Sequence, residues 1–222
     1  MCGLSGPVLP PLNGKTGRIF SRARGIHFFS NGAADVLFKL ALALRPKKST
    51  ASGATFADYE KALRSVGCGI DYYLLQEENN FEPQSDILRQ LTPDIDFVVI
   101  CNPNNPTGKL INKELLTEII EKCQKLNIKI LIDECFMDFV ADENAYSMIE
   151  KLQSNNNLII LKAFTKTMPC LVYALATALR QIRICFCACM NAVRTGMFPY
   201  RRRKRAALPW MKLHMLKRQK NL

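Results

Sequence analysis

Acidic residues are absent from the end of this chain: residues 167–222 hold 12 Lys and Arg and not one Asp or Glu. The other 19 basic residues balance all 19 acidic ones, so the formal charge of +12 belongs to the tail and the body is neutral. A basic stretch of this kind admits binding to nucleic acid or to an anionic membrane surface. Charge is all the tail offers, however. Only Phe198, Tyr200 and Trp210 accompany "RRRKR", and no nucleic-acid-binding module is present. No nucleic-acid partner is expected.

Long apolar runs are missing as well. The longest in the tail, Met168 to Leu179, is 12 residues, too short to span a bilayer, so no membrane partner is expected. The opening "MCGLSGPVLPPLNGK" lacks an apolar core behind a basic start, so no export leader is expected. The nine cysteines show no paired spacing, which points to reduced thiols and a cytoplasmic location. "CFCAC" (Cys185, Cys187, Cys189) offers soft ligands, but no second Cys/His group completes a set of four, and no metal site is expected.

What is present reads as alternating strands and helices. "NGAADVLFKLALAL" carries apolar residues at helical spacing and predicts a helix from about Ala33. "PKKSTASGAT" reads as a loop of small residues, followed by a second helix from about Phe56. "DYYLL" is a short strand, and "QEENNFEPQSD" a polar connector. "DFVVIC" is a continuous apolar strand feeding the tight turn "NPNNPTG". "NKELLTEIIEKCQKLN" is an amphipathic helix, and "IKILIDE" and "NLIILKAF" are two further strands. Apolar strands separated by helices predict an α/β fold: three αβα layers around a mainly parallel sheet.

In such sheets the functional groups gather at the carboxyl ends of the strands. Three strands here end near conspicuous polar residues: Asn105, Asp133 and Lys166. Gly32-Ala33-Ala34 opens a helix whose free backbone N–H groups suit a phosphate. Phe56, an aromatic, stands at the start of the next helix. Any one of these has an ordinary structural reading; their order along the chain is what carries weight.

That order resembles the pyridoxal-phosphate enzymes of the class I/II aminotransferase family, over roughly Gly25 to Lys166. "CNPNNPTG", then "IDECFMDF", then "AFTK" carries the resemblance. Within the family, "NGAAD", "TFADYE" and "DECFMDF" are most similar to the threonine-phosphate decarboxylases of cobalamin side-chain synthesis. The histidinol-phosphate aminotransferases come next; they usually have Tyr where this chain has Phe136. The resemblance implies pyridoxal 5′-phosphate as cofactor and a small phosphorylated amino acid as substrate. It implies that Lys166 is catalytic and carries the cofactor covalently. Asp133 would pair with the pyridine nitrogen and Asn105 with the ring 3-oxygen. Phe56 would stack on the ring, with Tyr59 the lesser candidate, and Ala33, Ala34 and Thr165 would hold the phosphate. A homodimer is implied if the fold is complete.

The chain departs from the family after Lys166, where a Gly-Leu-Arg segment and a small C-terminal domain are expected. Starting at the third base of the Thr167 codon, permissible codons replace "TMPCLVYALAT" with Tyr-Ala-Met-Ser-Gly-Leu-Arg-Leu-Gly-Tyr, the family continuation. Met168 forces the Ala of that reading. Three segments are therefore expected: a degenerate N-terminal remnant (1–24), a partial cofactor-binding large domain (25–166), and a basic tail (167–222) translated out of frame, poorly ordered. The polypeptide is then truncated and inactive. "STASGA" (Ser49–Ala54) is a smaller scar of the same kind, since relatives place an apolar strand there and a neighbouring frame reads Ala-Leu-Leu-Pro-Ala.

Overall fold

The computed structural model describes residues 26–53, 55–163 and 175–180. They form a seven-stranded sheet in the order β1-β7-β6-β5-β4-β2-β3. The strands are β1 (Ile26–Asn31), β2 (Lys48–Ser52), β3 (Gly69–Tyr73), β4 (Phe97–Cys101), β5 (Lys129–Asp133), β6 (Leu158–Ala163) and β7 (Leu175–Arg180). Pairings from β3 through β2, β4 and β5 to β6 are all parallel, and β7 lies antiparallel between β6 and β1. Six strands thus share one direction and β7 opposes them. This is the mainly parallel α/β sheet that the alternation predicts.

Successive residues of a strand face opposite sides of the sheet, and the two cores follow that rule. On one face Phe97, Val99, Leu131, Ile159 and Leu161 pack against α1 (Ala33–Leu44) and α2 (Asp58–Arg64). On the other, Val98, Ile100, Ile130, Ile132, Leu158 and Ile160 pack against α3 (Lys113–Lys125). Consecutive apolar residues in β4, β5 and β6 therefore serve two helical layers at once, which is why these strands show no alternation in sequence.

The helix ends follow from local chemistry. Asn112 caps α3 by accepting from the N–H groups of Glu114 (2.8 Å) and Leu115 (3.3 Å), and Lys122 and Lys125 sit in its last turn. α1 stops at Arg45, which adopts a left-handed conformation (φ 44°) and donates its N–H to Ala41; Pro46 follows.

Four strands differ from the sequence expectation. "KSTAS" is a strand, not a loop: β2 fills the slot between β3 and β4, and its backbone pairs although its side chains are small and polar. β3 starts two residues before "DYYLL". β1 and β7 were not anticipated. β7 draws six residues of the basic segment into the sheet; the rest of 167–222, and all of 1–24, lie outside the described residues. Among the described residues, no helix is long and apolar enough to cross a membrane.

Candidate active site

Three neighbouring parallel strands end together. Cys101 of β4 is the register partner of Asp133 of β5, and β6 ends beside them at Ala163. All three lie on the α1/α2 face of the sheet. There they meet the start of α1, Phe56 just before α2 and Tyr59 within it around a cavity of about 200 Å³, whose lining also includes Gly32, Ala33, Ala34, Asn105, Cys135 and Phe136.

Gly32 sets the entry to α1. Its φ of 95° with ψ of 167° is closed to L side chains, so only glycine turns the chain here without strain. Glycine has no side chain to cap the helix it opens, and the backbone of the first turn lies at the cavity wall.

Asp133 is 4 % exposed and held from two sides. Its Oδ1 accepts from the Cys135 N–H at 2.8 Å, and its Oδ2 accepts from the Tyr59 hydroxyl at 2.5 Å. Tyr59 is one turn beyond Phe56, with its N–H donating to the Phe56 carbonyl, and the two rings meet edge to face at 5.6 Å. Burial, then the Asp133 and Cys101 side chains, push the Tyr59 phenol well above its ordinary ionisation range, so it stays a donor.

The turn after β4 is fixed by its asparagines. Asn102 accepts from the Ile111 N–H at 2.9 Å through its side chain, and its own N–H extends the ladder to Asp133. Asn104 closes the turn, its amide donating to Thr107 and its carbonyl accepting from Gly108. With its neighbours so occupied, Asn105 is left to line the cavity.

Five of the residues singled out in the sequence (Ala33, Ala34, Phe56, Asn105 and Asp133) therefore border one cavity. Thr165 and Lys166, and the cysteines of "CFCAC", lie outside the described residues. Sequence reasoning missed Cys101, Cys135 and Ala163 in the lining. Tyr59, the lesser candidate for stacking, also borders the cavity and sends its hydroxyl to Asp133. The spacing from Phe56 to Tyr59, three residues in a helical turn, was the available signal.

A second lysine near the site belongs to the other face. Lys162 is 3 % exposed and pairs with Glu134 at 3.0 Å and Glu143 at 2.8 Å. Glu134 also accepts from the Ser147 hydroxyl and the Met148 N–H, both at 2.8 Å. Burial opposes the ammonium form, but the two carboxylates outweigh it and hold the Lys162 pKa above its ordinary value. A larger hollow of about 410 Å³, bordered by Arg45, Lys47, Asp96 and Lys129, lies at the amino ends of the strands, the pole opposite to that used in sheets of this kind.

A mainly parallel αβα sheet with a buried carboxylate, an amide and an uncapped helix start at its carboxyl edge defines a coenzyme-binding class of protein. The chain belongs to the aminotransferase class I and II family, whose model matches residues 20–198, beyond both ends of the stretch that the motifs delimit. It is 37% identical over 136 residues to the threonine-phosphate decarboxylase of Salmonella typhimurium, covering 61% of this chain and 37% of that protein. It is 30% identical over 141 residues to the histidinol-phosphate aminotransferase of Chlorobium limicola, covering 63% and 38%. The crystal structure of the histidinol-phosphate aminotransferase from Clostridium acetobutylicum superposes with a TM-score of 0.63 at 25% identity, over 78% of this chain and 49% of that one. The matched region thus spans well under half of these curated relatives.

Proteins of this family work with pyridoxal 5′-phosphate, and the described residues fit that group. A buried carboxylate with lone pairs to spare suits a ring N–H, Phe56 offers an aromatic wall, and Asn105 an amide donor. The start of α1, opened by a glycine, suits a phosphate.

Proposed function

We propose that this chain descends from a pyridoxal-phosphate enzyme that decarboxylates L-threonine O-3-phosphate to (R)-1-aminopropan-2-yl phosphate in cobalamin synthesis. The observation that carries the reading is the meeting of Asp133, Asn105, Phe56 and the start of α1 around one cavity. The similarity to the Salmonella decarboxylase supports the substrate.

When bound, the coenzyme supplies an electron sink for the pair released at the substrate's Cα. Asp133 keeps a negative charge at the ring nitrogen and so retains a proton there. Asn105 donates to the ring 3-oxygen. Phe56 covers one face of the ring and excludes water from it. Ala33, Ala34 and the Thr165 hydroxyl hold the phosphate, which anchors the ring against rotation. Lys166 holds the coenzyme covalently and moves protons at the reacting carbon. In the net reaction the carboxyl leaves as carbon dioxide and one proton replaces it on the same carbon.

Histidinol-phosphate transamination is the second reading, favoured by relatives of that activity. The same residues serve both, since both need the sink and a proton carrier.

Residues 25–166 are then a partial large domain, 1–24 a degenerate remnant, and 167–222 an out-of-frame translation. On this reading the polypeptide is inactive, the basic tail is an accident of the genetic code, and the cytoplasmic homodimer of the ancestral protein requires the restored frame.

The test is direct. Sequencing the gene across the Lys166 codon, restoring the frame, and assaying the product on threonine phosphate and histidinol phosphate separates the readings. Carbon dioxide release from threonine phosphate supports the decarboxylase; amino transfer from histidinol phosphate alone supports the second reading. A visible absorbance band with pyridoxal phosphate that survives Lys166→Ala would refute the lysine's role.

A further inference from the structure

We propose that Tyr59 is the positioning residue of the cofactor site: its hydroxyl, bonded to Asp133 Oδ2 at 2.5 Å, holds that carboxylate in the orientation it presents to the coenzyme's ring nitrogen. This rests on the coenzyme reading of the cavity and assigns the residue that makes Asp133 effective.

A carboxylate on a short side chain can rotate about its last bond, and an unheld one presents its lone pairs in many directions. Asp133 is held at each oxygen by a different element: Oδ1 by the backbone of Cys135, just past β5, and Oδ2 by Tyr59 on α2. Two donors on two oxygens fix the plane of the group, and a lone pair remains on each for a third donor.

Tyr59 can do this because its hydroxyl is enclosed, with only the Asp133 carboxylate and the weakly bonding Cys101 thiol beside it among the described residues. The side chain is 2 % exposed, so its hydroxyl has no bulk water to turn to, and a buried phenol needs an acceptor. Its ring is wedged edge-on against Phe56 and packed among α1, α2 and the sheet. The ionisable groups facing it are Asp133 from β5 and Cys101 from β4. Both oppose its ionisation, as does burial, so the bond is present across the whole neutral range. The turn that brings Phe56 to the cavity wall brings Tyr59 beneath it to the carboxylate. The turn leading into α2 and the first residues of that helix therefore set both the face of the ring and the group at its nitrogen.

The experiment uses the full 222-residue chain and pyridoxamine 5′-phosphate, which carries the same ring and phosphate but needs no lysine. Binding is measured by calorimetry, and the pH dependence of the bound ring's absorbance is recorded for wild type, Tyr59→Phe, Tyr59→Leu, Asp133→Asn and the Tyr59→Phe/Asp133→Asn double variant. Tyr59→Phe keeps the ring and its packing and loses only the donor. It should restore the stability that Tyr59→Leu loses, yet bind about tenfold more weakly, the effect of one hydrogen bond of ordinary strength. It should also shift the pH profile of the bound ring. Adding Tyr59→Phe to Asp133→Asn should then cost nothing further, because the group it positions is gone. If wild type binds and Tyr59→Phe matches it in affinity and pH profile, Tyr59 is only a packed side chain and the proposal fails while the coenzyme reading stands. If wild type does not bind the probe, the coenzyme reading fails and takes this one with it.

Discussion

Replacing two buried hydroxyls of β2 should make this protein more stable, contrary to the usual effect of a mutation in a core strand. Ser49 and Thr50 are 0 % and 2 % exposed, and neither hydroxyl has a hydrogen-bond partner among the described residues. Burying a hydroxyl without a bond costs about 1–3 kcal/mol. Thr50→Val exchanges that hydroxyl for a methyl of similar size and keeps the β-branched shape that strands favour. Part of the gain is lost to imperfect packing, so about 1–2 kcal/mol is expected for Thr50→Val and about 1 kcal/mol for Ser49→Ala. The residues are register partners of Val98 and Phe97, which face opposite cores, so the effects should add nearly fully. The double variant should gain about 2–3 kcal/mol, or about 4–12 °C in melting temperature for a chain of this size. Urea titration followed by circular dichroism checks it: the midpoint rises with the slope unchanged. A Thr50→Val protein no more stable than wild type would show that the hydroxyl is satisfied in the folded state. The result also bears on the history of the chain, because a polar core strand that improves when made apolar is what a local out-of-frame patch over Ser49–Ala54 leaves behind.

Other outcomes follow from the same structure. Lys162→Met leaves Glu134 buried without its cation and should cost about 3–5 kcal/mol in urea unfolding, while adding Glu134→Gln should return part of that. Because the Lys162 pKa is raised on folding, its contribution is complete below about pH 10.4 and fades only as pH climbs through the higher folded value. The gap between wild type and Lys162→Met should therefore stay constant from neutrality to mildly alkaline pH; a gap that closes below pH 9 or so would contradict the pairing. Burial pushes the Cys123 thiol up to about 12, and the side chain is fully enclosed, so iodoacetamide should label it only after unfolding. Mass mapping of native protein with Cys123 alkylated would refute that burial. Asn112→Ala removes the acceptor for two N–H groups at the start of α3 and should lower stability by about 1 kcal/mol, read as a shift in midpoint.

Much of the sheet was legible from composition alone. "DFVVIC", "IKILIDE" and "NLIILKAF" are apolar at every position, which only a strand covered on both faces demands, and they became β4, β5 and β6. "NKELLTEIIEKCQKLN" showed its apolar face and became α3, while its Asn112 cap emerged from the structure. β2 could not be read this way. Its place is decided by backbone pairing with β3 and β4, which leaves no trace in side chains as short as Ser, Thr and Ala.

The site divides along the same line. Residue order singled out Ala33, Phe56, Asn105 and Asp133, because a helix start, an aromatic, an amide and a carboxylate follow one another as in the family that the chain resembles. Their convergence is a property of the fold: parallel strands of matched register end at one edge, whatever the distance between them in sequence. The bond from Tyr59 to Asp133, 74 residues apart, and the turning of Lys162 to the far side of the sheet are of that second kind. Sequence determines which groups a chain carries and the period with which they face in or out. Only packing in three dimensions selects which two of them share a proton, because a hydrogen bond depends on the last few tenths of an ångström and these are set by every layer of the sheet at once.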